Sequence, residues 1–192
     1  MKATITSLIF LLLSLTVSSQ TYKYIGIEEG LSNQKIYKIQ KDARGYMWFL
    51  THVGIDQYNG KEIKHYKLRE GNRELDPLLN INWTFLDKTG TLLVTGKQGR
   101  IFRYDSGHDR FVQIYNMYNY WNKDYHAFVR YSYIDQEDNV WLCGKSAIHL
   151  FNIESGQKQQ ISNRLGNITC IEQINSEHFF IGTDKRIYLA KL

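Results

Sequence analysis

One unit is written four times along this chain, and a repeat of that length restricts the fold more than any single motif could. Its clearest copy covers residues 39–58: Ile39, the tetrad Asp42-Ala43-Arg44-Gly45, an apolar run from Tyr46 to Leu50, then Gly54 and Tyr58. Asp opening a tetrad that closes on Gly suits a type I turn, because the carboxylate can accept from backbone N–H groups two residues on. A short apolar run bounded by turn signals suits a strand buried on both faces. The second copy carries Asp87, Gly90, Leu92 to Val94, Gly99 and Tyr104. The third has Asp135, Asp138, Val140 to Cys143 and Phe151, and the fourth and weakest has Asn175, His178, Phe179 to Ile181 and Tyr188. The closing turn position reads Gly45, Gly90, Asp138 and His178. These residue types share a tolerance for positive φ.

The pattern predicts four strands per repeat. In the first copy these are Ile36 to Ile39, 46–51, 54–58 and, after the hairpin signal Asn59-Gly60, 62–66. Four strands in about 45 residues is the period of a propeller blade. The expected fold is all-β: four four-stranded antiparallel blades, over about 30–67, 80–115, 128–160 and 168–192, forming an incomplete propeller or open arc. The last blade stops at its third strand, Ile187 to Leu189. The alternating stretch Tyr22 to Ile27 predicts a lone strand able to pair there and hide an edge. Closure of that kind and an open arc both satisfy the pattern. Residues 68–79, with Gly71, Asn72 and the only proline, Pro77, are read as a connecting loop.

Residues 1–19 stand apart. Lys2, the apolar run Leu8 to Leu13 and the small residues Val17 and Ser19 form a cleavable secretory signal peptide, leaving 20–192 as the partial propeller. A membrane anchor needs about 18 or more apolar residues, and Ser14 and Thr16 interrupt this run. The expectation is a periplasmic protein with no membrane contact by this segment. The formal charge of +5 comes from 24 basic and 19 acidic residues that are scattered, Lys61, Lys64 and Lys67 alternating with Glu62 and His65. Such interleaving lacks a nucleic-acid footprint, so no nucleic-acid partner is expected. Cys143 and Cys170 fall in predicted strands of successive repeats. Export leaves a bridge chemically open, while two buried free thiols is the plainer reading.

From Gly30 to Tyr66 the chain sets out Gly30, Leu31, Ser32, Asn33, then Ile39, Asp42, Gly45, Trp48, Thr51, Gly54, Ile55, Tyr58, Asn59 and Gly60. In that order it resembles the two-component-regulator propeller repeat, strongly in the first copy and fading to the fourth. The resemblance implies the periplasmic sensor region of a Bacteroidetes-type hybrid two-component system. Such a sensor has about seven blades per propeller, a membrane-proximal sandwich, one membrane helix, a histidine kinase and a DNA-binding regulator. It also implies a non-catalytic role in signal transduction and an oligosaccharide ligand. The partners would be the remaining blades and the membrane-bound kinase. Because the text after the fourth repeat is absent, the expectation is the N-terminal portion of such a sensor, as a fragment or truncated gene. A stand-alone exported propeller-like binding or scaffold protein is the alternative, and an exported glycan-cleaving enzyme a distant third.

Within this frame Asp42, Gly45, Trp48, Gly54, Asp87, Gly90, Gly99, Asp135 and Trp141 are structural, and the resemblance places Trp48 and Trp141 between blades. The unusual stretch is Tyr115 to Tyr133, dense in aromatics and inserted between the second and third blades. On a loop, Tyr118, Tyr120, Trp121 and Tyr125 would offer flat faces with a polar edge, suited to stacking on sugar rings. Asn119, Asn122, Lys123 and Asp124 would supply hydrogen bonds. These are the candidate ligand-binding residues, although cover for an outer edge is the plainer reading of the tyrosines. The six histidines lack metal-ligand spacing. The carboxylates Asp135, Glu137 and Asp138 lack that of a calcium loop and read as a solvated turn. Asp105, His108 and Asp109 read as an ordinary loop. No catalytic residue, metal or cofactor is expected.

Overall fold

The computed structural model describes residues 21–120 and 128–191. The signal peptide predicted over 1–19 lies outside them. Blade 1 comprises β1 (Ile36–Lys41), β2 (Met47–Thr51), β3 (Ile55–Tyr58) and β4 (Ile63–Tyr66), each paired antiparallel with the next. A small hairpin, β5 (Arg69–Glu70) with β6 (Arg73–Glu74), and one helical turn, α1 (Pro77–Asn80), lead to blade 2. That blade holds β7 (Trp83–Leu86), β8 (Leu92–Thr95), β9 (Arg100–Asp105) and β10 (Arg110–Asn116). Blade 3 holds β11 (Tyr131–Ile134), β12 (Asn139–Cys143), β13 (Ala147–Asn152) and β14 (Lys158–Ser162). Blade 4 is three-stranded: β15 (Ile168–Gln173), β16 (His178–Thr183) and β17 (Ile187–Lys191). First strands adjoin in series, β1 against β7, β7 against β11 and β11 against β15, so they gather along one inner line of an open, propeller-like arc.

The turns build the blades and also tie them together. Asp42 Oδ1 accepts from the backbone N–H of Arg44 and Tyr46, and Asp87 and Asp135 repeat the pattern. The residue after each turn-opening Asp then donates its N–H to the next blade. Ala43 donates to the Gly90 carbonyl at 3.1 Å, Lys88 to the Asp138 carboxylate at 3.0 Å, and Gln136 to the Gln173 side-chain oxygen at 2.7 Å. Gly90 serves both purposes: its φ is +72°, and a Cβ there would stand 2.4 Å from that of Ala43. Between successive blades lie three apolar cores. Trp48 with Phe102 and Tyr104 fills the first, Leu93 with Val140 and Phe151 the second, and Trp141 with Phe179 and Ile181 the third.

Several expectations need correction. Residues 22–27 form no strand and leave β17 with β16 as its only strand partner among the described residues. Their backbone is committed to local turns, Gly30 N–H to Ile27 and Leu31 N–H to Gly26, and Lys23 lies over the Tyr58 ring on blade 1. Residues 68–79 are an ordered hairpin and a helical turn, the latter capped by the Asp76 carboxylate on Leu78 N–H. Positive φ occurs at Gly45, Gly90 and Asp138 but not at His178. In blade 4 it is Ile174 whose N–H meets the His178 carbonyl, as Asp42 N–H meets that of Tyr46. The fourth repeat is therefore offset by one residue: Ile174, not Asn175, stands where Asp42 does, and Phe180 stands where Trp48 does. Both thiols are free, Cys143 buried as expected but Cys170 exposed.

Candidate functional site

Of the inserted aromatic candidates, Tyr118 and Tyr120 lie among the described residues. Asn116 caps a short 3-10 turn, Met117–Asn119, by accepting from Tyr118 N–H. Tyr118 is half-buried against the core between blades 2 and 3. Tyr120 is more than half exposed, yet its ring stacks on Tyr115 at 5.6 Å and carries Lys158 Nζ at 4.3 Å. Trp121 and Tyr125, with Asn122, Lys123 and Asp124, lie outside the described residues. Of the four candidates, the structure thus places Tyr118 in packing and Tyr120 at a surface shared with Lys158.

Sequence reasoning missed two polar constellations on the first two blades. Ser32 N–H and Oγ both donate to Asp56 Oδ2, at 2.8 and 2.9 Å, while His65 Nδ1 stands 2.8 Å from Oδ1 of the same fully buried carboxylate. Ser, Asp and His meet here, but the carboxylate lies between the other two. A nucleophilic triad needs the imidazole in the middle to take the hydroxyl proton. This order anchors the entering segment to β3.

The second constellation centres on Asp109, whose backbone holds a φ of +51°. Its Oδ1 accepts from the hydroxyls of Tyr66 at 2.5 Å and Tyr104 at 2.6 Å, and its Oδ2 from Lys64. These donors, Lys64 foremost, hold the Asp109 carboxyl well below the usual carboxylate range. Burial pushes the Tyr66 hydroxyl above its ordinary value, so the pair stays tyrosine and carboxylate at neutral pH. Under them Trp48, Tyr66, Tyr104 and Phe111 pack ring on ring, with centroids 4.8–5.7 Å apart. Asp109 is therefore the outer clasp of the junction between blades 1 and 2, not part of an ordinary loop. No single-sequence signal links residues 64, 66, 104 and 109, which come from two blades.

The turn carboxylates of blade 3 also differ from the solvated reading. Asp135 Oδ2 accepts from the Trp141 indole at 2.9 Å, as Asp42 Oδ2 does from Trp48 at 2.9 Å. Glu137 accepts from the Gln173 amide of blade 4. Burial pushes the Cys143 thiol up to about 12 and the His149 imidazole down to about 4, which keeps both neutral. Among the described residues no cluster of His, Cys, Asp and Glu is arranged to hold a metal ion, and no helix is long and apolar enough to cross a membrane.

Beside the Asp109 clasp, the β5–β6 hairpin and the outer strand β10 enclose a cleft of about 480 Å³. Tyr66 and Phe111 line it together with charged residues from both elements. This cleft was not foreseen because residues 68–79 read as plain loop.

Residues 30–52 match the family model described as the two component regulator propeller. No curated protein matches the sequence. Among solved structures, the chain is similar to the extracellular domain of the hybrid two component system BT4673 from B. thetaiotaomicron, with a TM-score of 0.71 at 15% identity over 91% of this chain and 23% of that one. The corresponding domain of BT3049, from the same organism, gives 0.68 at 17% over 88% and 25%. YCF48 from Cyanidioschyzon merolae gives 0.55 at 12% over 93% and 56%. The chain spans about a quarter of the length of the two bacterial domains. Identities this low establish the fold alone: open, propeller-like antiparallel blades.

Proposed function

We propose that this chain is the N-terminal propeller portion of an exported sensor for signal transduction, held in the periplasm, that binds an oligosaccharide and performs no catalysis. The observation that supports it most is the family match over residues 30–52 in a chain whose blades superpose on extracellular domains of hybrid two-component systems. The polar groups agree in kind. Asp42, Asp135, Asp56 and Asp109 are each committed to turn, indole or hydroxyl donors, an arrangement that holds blades together. In this reading the remaining blades and a membrane-bound kinase complete the receptor. The inserted aromatics Tyr118, Tyr120, Trp121 and Tyr125 remain a proposed contact surface for sugar, with the exposed Tyr120 its outermost described member.

Calorimetric titration of the purified chain against a panel of neutral and acidic oligosaccharides tests this, with reducing ends assayed in parallel. Saturable heat with no new reducing ends is expected. Release of reducing ends would replace the sensor with an enzyme, and the absence of any binding would remove the oligosaccharide.

A further inference from the structure

The cleft between the β5–β6 hairpin and β10 has a charge distribution that does not balance internally. On the hairpin, Lys67 Nζ lies 2.8 Å from Glu74, and Glu70 is shared by Arg73 at 2.5 Å and Arg100 at 3.5 Å. Both hairpin acids are therefore engaged. Arg69 and Arg110 line the cleft from opposite elements, both are exposed, and neither has a carboxylate within ion-pair distance among the described residues. Two unopposed guanidinium groups facing one concavity repel each other and attract anions, and the planar fork of each matches a carboxylate or sulfate in two parallel hydrogen bonds.

Two further features of the same walls point to a sugar as the carrier of that anion. Phe111, half-buried and set edge to face against Tyr66 at 5.7 Å, gives the cleft an aromatic surface of the kind that packs on the C–H face of a pyranose. Gln113, also in the lining, has its side-chain oxygen buried without a hydrogen-bond partner among the described residues. An unmade hydrogen bond of that kind is costly, and a rotation of the half-buried Gln113 side chain that brings its oxygen to the cleft surface lets a sugar hydroxyl donate to it. The volume falls within the range of small-ligand sites.

We infer that this cleft binds an anionic oligosaccharide, with Arg69 and Arg110 taking its carboxylate or sulfate ester, Phe111 its ring and Gln113 a hydroxyl. The inference rests on the oligosaccharide reading above and deepens it by naming the charge class and the place. It is separate from Tyr118 and Tyr120, which follow β10 and lie against blade 3.

The test titrates the whole chain with tetragalacturonic acid, with a sulfated carrageenan tetrasaccharide free of uronate, and with neutral galactotetraose. At least one anionic sugar should bind more tightly than the neutral one, weaken with added salt, and lose at least about tenfold in affinity in the R69A/R110A double variant. Which of the two binds distinguishes carboxylate from sulfate. Both arginines are exposed, so the variant should keep the parent melting temperature. Unchanged anionic affinity in the variant overturns the site. Binding of the neutral sugar alone overturns the charge class while leaving the oligosaccharide reading intact, and binding of none overturns both.

Discussion

Trp48 and Phe180 occupy the same place in the repeat, six residues beyond the turn-opening position, and meet opposite fates. Trp48 is fully buried against Tyr104 and Phe111 of the next blade, its indole N–H bonded to Asp42. Phe180 is 49% exposed. It shares its sheet face with Leu189, its cross-strand partner, and Ile187, both largely exposed. The residues immediately beside it, Phe179 and Ile181, turn the other way and pack on Trp141. The register counted from the turn is thus shared by blades 1 and 4, although the blade 4 turn has no positive φ, and the difference in exposure is whether a following blade covers the outward face. A blade's apolar character is intrinsic, whereas its burial belongs to the junction.

Removing the junction at its centre should give the largest effect. Trp48→Ala deletes the ring that touches Tyr66, Tyr104 and Phe111 and leaves Asp42 Oδ2 buried without its donor. A cost of about 3–5 kcal/mol is expected from the cavity, read as a lowered midpoint in urea unfolding. A cost below about 1 kcal/mol would mean that blades 1 and 2 hold together without this core, and the contrast with Phe180 would lose its meaning.

A smaller change separates packing from the hydrogen bond. Trp48→Phe keeps an aromatic ring but removes the N–H, so the second Asp42 oxygen loses its hydrogen bond and keeps only the Arg44 guanidinium 3.7 Å away, at about 1–3 kcal/mol. Blade 2 supplies the natural comparison. There Leu93 stands in the tryptophan position, and the Arg103 guanidinium lies 2.7 Å from the second oxygen of Asp87. Stability equal to the parent's in Trp48→Phe would show that Asp42, like Asp87, finds another partner when the indole is gone.

How much of this was legible in the text follows from how local each interaction is. The turns at Asp42, Asp87 and Asp135, with positive φ at Gly45, Gly90 and Asp138, depend on four consecutive residues and could be read directly. The interblade place of Trp48 and Trp141 came with the family resemblance. The one-residue offset of the fourth repeat was hidden, because Asn175 carries an acceptor that mimics the Asp of the other turns: it takes Glu177 and His178 N–H groups from a shifted frame. Only pairing with β15 and β17 sets that register. The Asp109 clasp and the arginine cleft each join residues of two blades, and no pattern along a single chain marks such pairs. The predicted strand at 22–27 failed for a related reason. Alternation suggests a strand, but whether it finds an edge to pair with is a tertiary matter.

The smallest expected effect is at the other end of the comparison. Phe180→Ser removes an aromatic ring that, unlike Trp48, has one face in water, so unfolding stability should stay within about 0.5 kcal/mol of the parent. Exposed apolar strips of this kind promote association, and the same substitution should shift sedimentation toward the monomer at high concentration. The two readouts together are decisive. Near-neutral stability with reduced association leaves Phe180 as the Trp48 position without its cover. A loss of more than about 2 kcal/mol in dilute solution would mean that something already buries the ring, and blades 1 and 4 would then differ in what covers them, not in whether they are covered.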